Sequence, residues 1–298
     1  MKKIGIFGGS FDPVHNDHIN ICKKFTSELN LDLTLLIPAA CSPFKDGSEA
    51  TKEERFNMLS LAVNGNEKLI PDRTEIDSVG KSYTYLTVEK LKNKYSDAEL
   101  FLLVGTDSLL TFPTWKNPDL ILKHARVVVA ERKGENTSAA VENFKKHFGY
   151  APQVIKADGD ISSSLIREYL MLGLDASGFL PAGVYEYIKT HSLYNPDKYH
   201  LFVREHSKTP RLIHTVGVMV TAVKYAKATG ADEKKAALAA LLHDSAKYLN
   251  IADYPGCKLP EGVPEPIIHQ YLGAYVAENV LGVTDSEILG AIKWHTTG

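Results

Sequence analysis

At 298 residues with 44% hydrophobic side chains, the chain is long enough for one large or two ordinary packed domains. Its formal net charge of -2 excludes a general nucleic-acid surface, which needs a basic balance or stripe. Cys22, Cys41 and Cys257 are scattered with no CxxC spacing, no signal pattern heads the chain and no apolar run reaches about 18 residues. A reduced, cytoplasmic protein with no membrane span is expected.

The chain opens with residues 3–7, an apolar run suited to a strand buried on both faces. Gly8-Gly9 follow and let the backbone turn and come close to a ligand. Ser10 or Asp12 then offers a helix cap, Pro13 suits the first turn, and the free N–H groups and dipole of such a start favour an anion. His15 and His18, three residues apart, are expected on one face of that helix beside the anion, the helix ending at Glu28. Glycines alone fit many strand–turn–helix units that bind nothing. Two histidines at the helix start have no packing use and point to phosphate.

Residues 33–37 read as a second buried strand ending at Pro38. The following loop carries Ser42-Pro43-Phe44-Lys45, and Thr51-Lys52-Glu53-Glu54 is a capping-box start to a helix ending near Val63. Residues 100–104 and 126–130 are further buried runs, with helices expected over 84–95, 117–123 and 138–148. A strand at 153–156 precedes a helix over 161–172. Strands separated by helices predict an α/β domain with a Rossmann-like parallel sheet, covered on both faces, and a ligand crevice at the strand C-terminal ends.

Tyr194-Asn195-Pro196-Asp197 is turn-rich, and beyond it the chain reads as helix with no β-like run. Domains are therefore placed at 1–193 and 196–298, the second all-α, with helices over 198–207, 210–228, 232–248, 265–281 and from 285 onward. His214, His243-Asp244, His269 and His295 fall on separate helices. One buried histidine is usually a satisfied core residue. An adjacent His-Asp pair on an Ala/Leu-rich helix differs, because burying a carboxylate without a metal or partner is costly. Imidazoles with a carboxylate suit Fe, Mn or Zn, and an open coordination position activates water.

The opening stretch Gly8-Gly9-Ser10-Phe11-Asp12-Pro13-Val14-His15-Asn16-Asp17-His18 resembles the GxFDPxHxGH signature of the nucleotidyltransferase superfamily, with Asp17 where the family has glycine. Ile161-Ser162-Ser163-Ser164-Leu165-Ile166-Arg167 is similar to the ISSTxIR segment of nicotinate-mononucleotide adenylyltransferases, Ser164 replacing threonine. The likeness covers 1–193. It implies ATP binding by Gly8, Gly9, Ser10, Phe11, Ser162, Ser163 and Ser164. It implies nicotinate mononucleotide binding by Thr84, Tyr85, Asp107, Trp115 and Arg132, from the Ser82-Tyr83-Thr84 and Gly105-Thr106-Asp107…Trp115 segments. His15, His18, Lys45 and Arg167 are the implied catalytic residues, neutralising charge while the mononucleotide phosphate attacks the α-phosphorus of ATP in the presence of Mg²⁺ and releases pyrophosphate. Another small nucleotidyltransferase, acting on a phosphopantetheine or a glycerol phosphate, is the alternative; the Asp107/Trp115 arrangement disfavours it.

Over 196–298, the segments around Arg211 and His214, Leu241 to Lys247, His269 to Ala274 and Ala291 to Gly298 resemble HD phosphohydrolases that cleave diadenosine tetraphosphate symmetrically. The resemblance implies a metal centre of His214, His243, Asp244, His269 and His295. Those domains normally continue into a helix that supplies a further aspartate, so the resemblance leads to the expectation of a C-terminally incomplete centre over 196–298, unless the sequence is part of a longer chain. A non-catalytic nucleotide-sensing module is the alternative reading of this half.

Overall fold

A parallel sheet organises the first half of the chain because its apolar runs are short, buried on both faces and separated by helices long enough to cross over. The computed structural model describes residues 1–40, 49–78 and 82–297. The chain divides into two units, Met1–Ser163 with Ser177–Leu193, and Ser164–Ala176 with Tyr194–Gly298.

In the first unit, β1 (Lys3–Gly9), β2 (Leu33–Pro38), β3 (Leu69–Pro71), β4 (Glu99–Gly105), β5 (Ala125–Glu131) and β6 (Gln153–Lys156) pair in the order β3-β2-β1-β4-β5-β6, all parallel. Strand order reverses at β1, which lies between β2 and β4. The crevice outside the carboxyl ends of β1 and β4 is where open sheets of this kind take ligands. Helices α1 (Asn16–Glu28), α2 (Lys52–Ala62), α3 (Thr84–Lys94), α4 (Thr106–Thr111), α5 (Pro118–His124) and α6 (Ser138–Phe148) cover the sheet. Ile4, Ile6, Leu35, Leu102, Val127 and Val129 are buried in one cluster with Phe112, which follows α4, and Phe144 of α6. Gly5 explains how closely α1 packs: a β-carbon there would lie 2.6 Å from Phe25 Cε1 and from Thr34 Oγ1. The expected capping box at Thr51 forms, with Glu54 N–H donating to Thr51 Oγ1 at 3.3 Å and Thr51 N–H to the Glu54 carboxylate at 2.7 Å.

Three local expectations change. β1 runs on through Gly8 and Gly9, and the left-handed turn falls on Phe11 instead, at φ 49°. Its fully buried ring, edge-on to Phe7 at 5.5 Å, offsets a strain that is on the order of 1–2 kcal/mol. The turn delays the helix, so His15 is its N-cap and neither Ser10 nor Asp12 caps it; Pro13 precedes it. Asp12 instead accepts the backbone N–H groups of Glu49 and Ala50 at 3.0 and 3.2 Å. The sequence also concealed β3, α4 and α8 (Ala182–Thr190), which are short and depend on neighbours more than on their own periodicity.

After β6 comes α7 (Ser163–Met171), and the helical unit continues with α9 (Lys198–His206), α10 (Thr209–Thr229), α11 (Glu233–Leu242), α12 (Ile268–Asn279) and α13 (Ser286–Trp294). Leu212, Val216, Leu241, Leu242, Leu272, Val276, Ile288 and Ile292 form its core together with Leu172, which follows α7. The helix expected over 232–248 stops at Leu242. Bonds from Ser245 N–H to Leu242 O and from Lys247 N–H to Asp244 O tighten the chain into turns there and place His243 and Asp244 at a helix end. Among the described residues no helix is long and apolar enough to cross a membrane.

Candidate active sites

Beyond the end of β1, the N-cap and third residue of α1 are His15 and His18, whose rings stack with centroids 3.7 Å apart. His15 N–H donates to His18 Nδ1 at 3.3 Å. An Nδ1 that accepts leaves the proton of a neutral His18 on Nε2, which makes that nitrogen a donor. Burial, and secondarily the positive charge of Arg132, lowers the pKa of His15 to about 3. His15 is therefore an uncharged imidazole at neutral pH. In this state it offers a hydrogen bond and no positive charge. Its Nδ1 is buried and makes no hydrogen bond among the described residues.

The backbone before these histidines is held from behind. Arg55, fully buried on α2, donates from Nη1 to Ser10 O at 2.7 Å and from Nη2 to Ala39 O at 2.6 Å. Gly8 is exposed, with room for an approaching ligand, and Gly9 rests on the Phe11 ring. The Phe11 side chain itself is core, edge-on to His18 at 5.1 Å.

Ser162 and Ser163 follow β6, and Ser163 Oγ donates to Pro13 O at 2.9 Å, joining the serine segment to the opening stretch. Ser164 and Arg167 lie further along α7, in the part of the chain grouped with the helical unit. Lys45 lies outside the described residues.

At the ends of β4 and β5, Thr106 Oγ1 donates to Glu135 Oε2 at 2.6 Å, and the same carboxylate oxygen accepts Arg132 N–H at 3.4 Å. Asp107 is exposed in the first turn of α4. Trp115 packs on Phe112 at 5.0 Å and against the sheet core, while Lys116 Nζ sits 4.4 Å over the Tyr83 ring, whose centroid is 6.2 Å from that of Tyr85. The Ser82-Tyr83-Thr84 and Trp115-Lys116 segments thus meet through Lys116 and Tyr83.

In the helical unit all five expected metal residues converge. His214, His243 and Asp244 form one group of donor atoms and Asp244, His269 and His295 another, each within 4.8 Å. Asp244 Oδ2 lies 3.3 Å from His243 Nε2 and 3.8 Å from His214 Nε2, and Oδ1 lies 3.2 Å from His269 Nε2 and 3.5 Å from His295 Nε2. His243 Nδ1 and His295 Nδ1 donate to Ala240 O and Ile292 O at 2.6 and 2.7 Å. With those protons on Nδ1, the Nε2 lone pairs of His243 and His295 face Asp244 and lie 3.4 Å from His214 Nε2 and 3.2 Å from His269 Nε2, where a shared proton or a cation would satisfy them. Protons throughout would gather several imidazolium ions about one carboxylate, so this donor set fits a divalent cation. Burial opposes ionisation of Asp244, but hydrogen bonds from His243, His269 and His295 outweigh it and hold the carboxyl far below the usual carboxylate range. Partial burial and the charges of His243 and Arg211 lower the pKa of His214.

Residues 6–169 match the model of the cytidylyltransferase-like family, and residues 211–298 match that of the HD domain. The chain belongs to the cytidylyltransferase-like family. A probable nicotinate-nucleotide adenylyltransferase of Clostridium tetani is 34% identical over 202 residues, 65% of this chain and 100% of its own length. One from Neisseria gonorrhoeae is 33% identical over 200 residues, 65% of this chain and 99% of its own. The solved Plasmodium falciparum nicotinic acid mononucleotide adenylyltransferase, complexed with NaAD, aligns at a TM-score of 0.55 and 19% identity over 65% of this chain and 98% of that one, a likeness of fold.

Within this cytidylyltransferase-like unit, sequence reasoning missed Arg55 and the anchoring role of Asp12. Nothing in the local pattern marks Arg55, because its partners are backbone carbonyls of Ser10 and Ala39, distant along the chain. Arg211 of the helical unit, whose Nη1 donates to Asp244 Oδ2 at 2.6 Å, was legible only as part of a motif.

Proposed function

We propose that a domain spanning 1–193 transfers AMP from ATP to nicotinate mononucleotide, giving deamido-NAD and pyrophosphate in cytoplasmic NAD biosynthesis, and that an HD domain spans 196–298. The observation that carries the reading is the stacked His15–His18 pair at the end of β1, beside the strand-order reversal. The full-length likeness to probable nicotinate-nucleotide adenylyltransferases supports the choice of substrate.

ATP enters as its magnesium complex. An ionised phosphate oxygen of the mononucleotide attacks the α-phosphorus, a new P–O bond forms, and the bond to the bridging oxygen breaks with its electron pair leaving on pyrophosphate. The attacking group is already an anion, so the protein needs no general base and no covalent nucleophile. His18 donates from Nε2 to a phosphate oxygen, His15 adds an uncharged donor, and Lys45 and Arg167 supply positive charge. Gly8, Gly9, Ser10 and Phe11 with Ser162, Ser163 and Ser164 cradle the triphosphate through backbone N–H groups and hydroxyls. Thr84, Tyr85, Asp107 and Trp115 hold the pyridine nucleotide, the indole by stacking, with Arg132 near its phosphate. His18→Ala is expected to lower turnover by about 10² or more with the fold intact.

Incubating the protein with ATP, Mg²⁺ and, in turn, nicotinate mononucleotide, nicotinamide mononucleotide or phosphopantetheine, while following pyrophosphate, tests the reading. Release with nicotinate mononucleotide is expected. Release with phosphopantetheine alone overturns it.

For the helical unit we infer a phosphohydrolase dependent on Fe, Mn or Zn, held by His214, His243, Asp244, His269 and His295. The bound metal supplies an activated water at neutral pH. Diadenosine tetraphosphate is the substrate to test first, from the resemblance of the segments around His214 and His243. Metal and nucleotide binding with no hydrolysis identifies a nucleotide-sensing module instead.

A further inference from the structure

Asp17 stands where the HxGH signature has glycine, and its carboxylate is engaged. Asp17 Oδ2 accepts the N–H of Ile161 at 2.8 Å. The carboxylate occupies the place that a side chain would take at residue 159: a β-carbon on Gly159 would fall 1.9 Å from Oδ2, 2.0 Å from Cγ and 2.2 Å from Oδ1. Gly159 does not have a positive φ, so it is required for space and not for backbone freedom. Two further links flank this one. Ser163 Oγ donates to Pro13 O at 2.9 Å, and Lys24 Nζ pairs with Asp158 at 3.7 Å on the surface.

The two segments joined in this way are the ones assigned above to the ATP phosphates. Asp17 immediately precedes His18, and Ile161 immediately precedes Ser162. A hydrogen bond between a charged carboxylate and a backbone amide is short-range and directional, so it fixes the distance between the segments better than surface charge does. The other two ties cannot replace it: the Ser163 hydroxyl is a neutral donor on a rotatable bond, and the Lys24–Asp158 pair is exposed and screened.

We propose that Asp17 is a positioning residue for ATP, with Gly159 as its matched partner. Its carboxylate pins the loop 159–163 against the start of α1 and thereby sets the spacing of Ser162 and Ser163 from His18, a function that glycine at position 17 cannot serve. The proposal rests on the adenylyl-transfer reading. It adds the statement that the departure from the signature is a second way of building the same phosphate cradle.

Steady-state kinetics of Asp17→Gly, Asp17→Asn, Gly159→Ala and the double variant Asp17→Gly/Gly159→Ala decide it, with thermal midpoints confirming that each remains folded. Asp17→Gly and Gly159→Ala are each expected to raise KM for ATP about tenfold or more, from loss of a charge-assisted hydrogen bond, while kcat and KM for nicotinate mononucleotide stay within about threefold. Asp17→Asn retains an acceptor oxygen without its charge and is expected to give a KM for ATP between those of wild type and Asp17→Gly. The double variant is expected to match Asp17→Gly alone, because the clash at residue 159 needs the carboxylate. An unchanged KM for ATP in Asp17→Gly, an Asp17→Asn variant as weak as Asp17→Gly, or additive losses in the double variant each overturn the proposal. If the wild-type protein releases no pyrophosphate with nicotinate mononucleotide, the functional reading fails. The same variants are then judged by the calorimetric Kd for magnesium ATP, where the same ratios are expected and equal Kd values overturn the proposal.

Discussion

Asp244 receives Arg211 Nη1 at 2.6 Å while both of its oxygens face histidine Nε2 atoms, so one carboxylate serves both groups of candidate metal donors. Asp244→Ala is therefore predicted to remove metal from both groups, and His214→Ala from the first alone. Metal content of the dialysed, metal-loaded proteins measures this. Full metal retention in Asp244→Ala would remove Asp244 from the ligand set.

His200 is a second buried charge point in the helical unit. Its Nε2 lies 3.0 Å from Glu168 and its Nδ1 2.7 Å from Asp197. Burial pushes the His200 pKa down, and the two carboxylates more than offset this, leaving it raised. A raised pKa means that the folded state holds the proton more tightly than the unfolded chain. The stabilisation is complete below the ordinary histidine value and is lost as pH rises through the raised one. The helical unit is predicted to lose stability as pH rises through the raised histidine value, and His200→Gln to remove most of that slope. Denaturant melts of both proteins across that rise in pH provide the check; parallel curves would refute the coupling.

His15 has the opposite sign. Its pKa falls from 6.5 to about 3 through burial and then Arg132, so the unfolded chain binds a proton that the folded chain refuses. Its contribution is complete above the ordinary value and declines as pH falls towards 3. His15→Gln is predicted to narrow the drop in thermal midpoint between pH 7 and 4.5, and the wild-type rate profile between pH 5 and 8 should carry no limb from His15. A drop as steep in the variant as in wild type contradicts the assignment.

Gly5 tests the packing of α1 on β1. Any β-carbon there meets Phe25, Thr34 and Leu31 within 2.8 Å, and these neighbours are themselves buried. Gly5→Ala is predicted to cost about 1–3 kcal/mol. Its thermal midpoint should fall by several degrees, and a midpoint equal to that of wild type would show that the interface yields freely.

The sequence by itself pointed to the class of the first unit and to the histidines and aspartate that the helical unit brings together. Short, largely apolar runs between helices specify a covered parallel sheet, as Leu33–Pro38 and Ala125–Glu131 show, and His243-Asp244 with three further histidines on separate helices points to a candidate metal site by residue type. Only tertiary structure decided what depends on partners far along the chain. Phe11 takes the turn expected at Gly8-Gly9 because its ring finds a buried place. His15 stays neutral because the fold removes it from water. Arg55 braces Ser10 and Ala39, and Asp17 meets Ile161 and Gly159, through contacts that no local periodicity encodes. Periodicity records which face of an element is buried. The charge state, direction and spacing of a polar group are set by atoms that the fold brings to it.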